Sequence, residues 1–174
     1  MQISKPNPIE YDPYYEHYIS LVAGDDLLVQ LSRQIDEAIA LAARFENHGD
    51  YAYAEGKWTV KQVLQHLIDT ERIFAYRALR ICRGDETPLA GFDQDEYAET
   101  GETAHRTLEE ITAEMVAVRS ATYSLLNGLT PESTINVGIA SNAAVSGRAL
   151  FYMIIGHMAH HMSILTDRYT PGLQ

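Results

Sequence analysis

One cysteine in 174 residues, Cys82, leaves no partner for an intramolecular disulfide and no CxxC pair for a redox or zinc-ribbon site. It reads as a small buried thiol in a helix. No apolar run reaches the roughly 18 uncharged residues of a membrane span. The opening stretch MQISKPNPIEYDPYYEHY has neither the basic nor the apolar region of a signal peptide, so a cytoplasmic protein without a membrane partner is expected. Basic residues are scarce too. Thirteen Lys and Arg stand against 24 Asp and Glu, a formal net charge of −11 with no compensating basic stretch, and this argues against nucleic acid as a partner. GxGxxG and Walker sequences, fixed-period repeats and Pro/Gly/Ser linkers are absent, so one domain over residues 1–174 is expected. Strand signals are nearly absent as well, the exception being a weak STINVGIA at 133–140.

What remains is helical. The apolar fraction of 46% with only 21% charge is that of a globular protein. Asp25 or Asp26 caps a segment near 26–46. Thr59 with Gln62 and Thr107 with Glu110 match capping boxes opening helices near 60–83 and 108–127. Gly84 and Gly128 stand where left-handed stops belong, and Pro131 cannot continue the third helix. A fourth helix is expected from about Gly147 to Arg168, and a short one at 13–22. The fold class is therefore all-α, a four-helix bundle with a short extra N-terminal helix. The connection at 85–105 is longer than usual for a bundle and is a candidate cover for a site.

The fourth helix carries GHMAHHMSIL at 156–165, three histidines in five positions. At about 100° per residue, Leu150, Met153, Ile154, Met158, Ile164 and Leu165 share a broad face. His157 and His161 fall near its middle and His160 toward an edge. Two imidazoles one turn apart among aliphatic neighbours are costly unless something binds both, and His-x3-His directs two nitrogens toward one divalent ion. A hydrogen-bonded core histidine is the competing reading. The second helix offers a third donor, His66, in a stripe with Thr70, Ile73 and Arg77 at helical spacing. Glu71 falls among apolar residues of that helix. It reads either as an ion-pair partner of Arg119 or Arg148, or as a group that orients a ligand histidine. Arg77 reads as a surface residue or an anion-binding group near the metal. His17, His48 and His105 read as surface residues.

WTVKQVLQHLIDTERIFAYRALR, followed some eighty residues later by GHMAHH, resembles the DinB-like superfamily of DinB and YfiT type from about Tyr11 to Tyr169. The resemblance implies a four-helix bundle holding a divalent metal, zinc or nickel with iron as a further option, through His66, His157 and His161. It implies a homodimer and a small-molecule substrate, and relatives use low-molecular-weight thiols such as bacillithiol, mycothiol or glutathione. The eleven tyrosines, several near the N-terminus, add weak support for an interface. A metal-dependent thiol S-transferase is then the first functional expectation, with His160 or Glu71 moving protons or orienting a ligand and Arg77 holding a carboxylate. A metal-dependent hydrolase and a non-catalytic metal-binding bundle are the alternatives. Thermolysin-type chemistry is excluded here because Met158 stands where HExxH needs glutamate. A ferritin-like di-iron site is excluded because the one Glu-x-x-His, Glu102 to His105, falls in the long connection.

Overall fold

The computed structural model describes residues 2–173. Four long helices dominate: α2 (Leu27–Ala43), α3 (Val60–Cys82), α5 (Leu108–Asn127) and α7 (Gly147–Ile164). Their starts follow the local chemistry. Asp26 accepts from the Val29 amide at 3.3 Å. Thr59 and Gln62 close a reciprocal box with bonds of 2.8 and 3.2 Å, and Thr107 and Glu110 close another with bonds of 2.8 and 3.1 Å. Such caps satisfy amides that the first turn leaves free. Ser146, which the sequence did not single out, caps α7 through the Ala149 amide at 3.1 Å.

The ends are less uniform. Gly84 has φ +78 and is a left-handed stop, as expected. Gly128 has φ −88, so Pro131 and the change of direction end α5 without a left-handed turn. The expected helix at 13–22 is split into a 3-10 turn, Pro13–Tyr15, capped by Asp12, and a short α1 (Glu16–Ser20). The fourth helix leaves α geometry at Ile164 and widens into a π turn over Leu165–Tyr169.

The weak strand signal is half of a hairpin, β1 (Val137–Ala140) with β2 (Ala143–Ser146), antiparallel with Ala140 opposite Ala143. The two-residue turn puts Ser141 at φ 52 and Asn142 at φ 63, the positive values that a tight hairpin of this length demands. Asn tolerates that conformation and Ser does so less readily, so no glycine advertised the turn. The long connection docks on this hairpin through Leu89, whose amide donates to the Ile139 carbonyl at 2.9 Å and whose carbonyl accepts from Ser141 at 3.0 Å. It then forms α4 (Gln94–Thr100). A one-turn α6 (Pro131–Thr134) precedes the hairpin.

In the bundle α3 packs against α5 and α7, and α2 packs against the same two, so α2 and α3, consecutive in sequence, occupy opposite corners. Midway along the bundle a polar layer crosses all four helices. Arg119 of α5 donates to Glu71 of α3 at 2.8 and 3.0 Å and to Gln34 of α2 at 2.6 Å, and Gln34 donates to the Ile155 carbonyl of α7 at 2.9 Å. The apolar core lies in two compartments on either side of this layer. One contains Leu27, Leu31, Phe74, Ala78, Leu126 and Leu150; the other contains Leu41, Phe45, Leu64, Ile111, Met115 and Met158. α7 is buried on every side from Ala149 to Met158, because α1 and the hairpin cover what the bundle leaves open. Among the described residues no helix is long and apolar enough to cross a membrane.

Candidate metal centre

His66, His157 and His161 are brought together, with one ring nitrogen from each lying within 4.8 Å of the other two. Their Nε2 atoms do much of the convergence: those of His66 and His157 are 3.0 Å apart. The His161 ring centre is 4.6 Å from that of His157 and 4.9 Å from that of His66. The capping box of α3 fixes where its first turn begins, and seven residues on it presents His66 toward α7. On α7 the four-residue spacing stacks His157 above His161 on the side facing α3.

Burial sets the charge of the cluster. It pushes His66 down to about 4 and, joined by repulsion from His66 and His160, pushes His161 down to about 3. His157 is held well below the usual histidine range by burial first, then by the neighbouring histidines and Arg119. All three rings are neutral at pH 7, with lone pairs to offer and no carboxylate in the group. Neutral imidazoles at this spacing suit zinc, nickel or iron as donors, since bonds of about 2.0–2.1 Å bring ligand nitrogens to roughly the separation already present between His66 and His157.

A cleft of ≈190 Å³ opens beside His157, walled by Thr70, Phe74, Tyr14, Tyr15, Tyr18, Phe92, Gln94 and Ser141. Gly156 makes the aromatic wall possible. A Cβ there would stand 2.0 Å from the Tyr18 carbonyl oxygen, so only glycine lets α1 press against α7, and the Tyr18 ring then sits edge-on to His157 at 5.1 Å. Sequence reasoning missed this residue, although it opens the very motif that drew attention. It also missed the use of the N-terminal tyrosines, three of which line the cleft. Phe92 and Gln94 come from the long connection, which forms part of the cleft wall.

The remaining candidates separate. His160 is half-buried, its ring 5.1 Å from His161 and 5.7 Å from His17. Burial and then His17 lower it below the usual range. His17 is exposed, as expected, with its ring 3.7 Å from that of Tyr18; His48 and His105 are exposed. Glu71 is joined to Arg119 and, among the described residues, hydrogen-bonds to no imidazole, so of its alternatives the geometry is that of the ion pair. Arg148, the other partner considered, is taken by Glu10 at 2.7 Å. Arg77 is buried, not a surface residue. Cys82 is buried against Gly147, and burial pushes its thiol up to about 11, so it is inert as a nucleophile at neutral pH.

A bundle with one histidine on an inner helix and two on the last defines a class, and comparison with known families agrees. The chain belongs to the DinB superfamily, whose model matches residues 30–165. Its structure is similar to that of YfiT from Bacillus subtilis, described as a probable metal-dependent hydrolase with an unusual four-helix bundle topology. The TM-score is 0.70 at 18% identity, over 98% of this chain and 94% of that one, a likeness of fold. No protein of curated function matches the chain.

Proposed function

We propose that His66, His157 and His161 hold one divalent ion and that the protein is a metal-dependent enzyme transferring a small thiol to an electrophilic substrate. The observation that carries the reading is the convergence of three neutral imidazoles, free of carboxylates, two of them buried and His161 half-buried, with His157 at the wall of a cleft. A divalent ion on three neutral ligands keeps its full charge and lowers the pKa of a thiol or water bound to it toward neutrality. The protein's part is positional. At ≈190 Å³ the cleft is smaller than the roughly 300 Å³ and upward of ordinary ligand pockets, which restricts the electrophile to a small molecule. The rings of Tyr15, Tyr18, Phe74 and Phe92 exclude water from its sides, and the Gln94 amide and the Thr70 hydroxyl are polar contacts for orienting it. His160, half-buried with its ring 5.1 Å from that of His161, would accept a proton on a ring nitrogen and pass it to solvent.

A hydrolase is the second reading, supported by the description of YfiT, and uses the same residues with water in place of the thiol. Homodimerisation remains part of the proposal, now without the N-terminal tyrosines as support, since they serve the cleft. Light scattering at micromolar concentration decides it, a monomer mass refuting the dimer. For the activity, tag-free protein is analysed for metal, then offered glutathione, bacillithiol or mycothiol with an electrophilic acceptor, and separately small esters and amides. Metal-dependent loss of free thiol supports the transferase. Turnover of esters or amides without thiol assigns the hydrolase, and stoichiometric metal with neither turnover leaves a binding protein.

A further inference from the structure

Among the described residues, Arg77 is the one deeply buried cation with no acid beside it. Its buried and largely buried counterparts are paired: Arg119 with Glu71, Lys61 with Asp50 and Arg148 with Glu10. Arg77 is 3% exposed, and among the described residues no carboxylate lies within salt-bridge distance of it. Its hydrogen bonds both leave from Nη2, to the Ala90 carbonyl at 2.7 Å and the Ser141 hydroxyl at 3.0 Å. An arginine carries five N–H donors, so Nε and Nη1 are left without a protein partner. Neither nitrogen is among the fully enclosed atoms without a partner, so both keep contact with the adjoining space and are available to a ligand, while burial of the group as a whole pulls its proton affinity down.

Its position explains where a partner comes from. The guanidinium sits 5.7 Å from the Phe74 ring and 5.9 Å from the Phe92 ring, both of them walls of the histidine cleft, and Ser141, which it bonds, is a third. The space it borders directly is only ≈10 Å³, room for about one water, and shares Tyr15 and Phe74 with the cleft. On α3, Thr70 at the metal end of the cleft and Arg77 are seven residues apart, about 10 Å along the helix axis.

We infer that Arg77 forms the closed end of the substrate cleft and binds a carboxylate carried by the substrate at the end remote from the histidines, a shift of the half-buried Tyr15 joining the two spaces. This deepens the functional reading above by assigning that site an anionic small molecule. The flanking rings are uncharged, and a planar guanidinium matches a carboxylate in shape and charge.

The test uses hexanoate and its neutral counterpart hexanamide, titrated by calorimetry into the protein as purified. Hexanoate should bind about tenfold more tightly or better, the value of a charge-assisted hydrogen bond. The preference should vanish in Arg77→Met. It should vanish equally in Ser141→Asp, which supplies the missing carboxylate internally at a position whose left-handed backbone Asp tolerates, so that a folded variant is at hand even if Arg77→Met does not fold. It should persist in His161→Ala. Equal binding of the two probes by the unmodified protein, or a preference that survives Ser141→Asp, overturns the inference. A preference lost in His161→Ala also overturns it, because the carboxylate would then have been held at the histidines. A preference that persists while the protein shows neither metal nor turnover sustains Arg77 and sinks the functional reading alone.

Discussion

Two groups of buried polar side chains lie along α3, Glu71 with its arginine and His66 with its partner imidazoles, and they are built on opposite principles. The Glu71–Arg119–Gln34 layer runs across four helices, its charge neutralised inside the protein and Gln34 donating onward to the Ile155 carbonyl, while Glu71 Oε1 is buried without a hydrogen bond. The histidine cluster joins two helices, its ring nitrogens face each other, and it borders a cleft. The layer ties the four helices together; the cluster, on the function proposed above, offers its donors to an ion. Within five residues on one helix, α3 thus carries one group paired by charge across the bundle and one group of neutral donors beside a cleft.

Removing a member of the cluster should have the largest effect. Metal per folded molecule, measured by elemental mass spectrometry, should fall at least about tenfold in His66→Ala, His157→Ala or His161→Ala and stay unchanged in His105→Ala. Equal occupancy in all four would erase the distinction between cluster and layer.

Breaking the layer should act on stability instead. Glu71→Gln leaves Arg119, 1% exposed, as an uncompensated charge, and urea unfolding should show a loss of about 3–5 kcal/mol with metal content per folded molecule unchanged. A tenfold to hundredfold fall in metal affinity with little loss of stability would transfer Glu71 to the service of the histidines.

Gly156→Ala tests the wall between the two kinds of site. The added methyl meets the Tyr18 backbone, so α1 must shift, at a cost of about 1–3 kcal/mol in thermal or urea unfolding. Metal binding should be retained, since the helix carrying His157 and His161 is not itself displaced. Loss of metal would mean that Tyr18 holds the cluster in place.

A smaller effect than at Glu71 is expected from a second, largely buried member of the paired class. The Arg148 guanidinium holds Glu10 down from 4.5 to about 2, assisted by Ser146 and Asn7. A depressed carboxylate stabilises the fold fully above about pH 4.5, and the contribution disappears as the pH falls through about 2. The advantage of the unaltered protein over Glu10→Gln should therefore be about 2 kcal/mol at pH 7, after allowance for solvent, and vanish by pH 2. A pH-independent difference would show that Glu10 acts through shape and not charge.

Local chemistry made much of this legible in the sequence. Capping threonines and Asp26, the period of apolar residues and the four-residue spacing of His157 and His161 depend on neighbours within a turn or two, so the four helices, their starts and the candidate metal donors could be read directly. What tertiary structure decided were choices between distant partners. Glu71 could have met Arg119 or Arg148; the diagonal placement of α2 and α3 gave it Arg119, while Glu10, 138 residues away in sequence, captured Arg148. Arg77 could have been solvated until the long connection and the Ser141–Asn142 turn folded over it. The requirement for glycine at 156 exists only because α1 crosses α7 there. Periodicity places a side chain on a face of its own helix, but the burial and pairing of that face depend on which segments the rest of the chain lays against it.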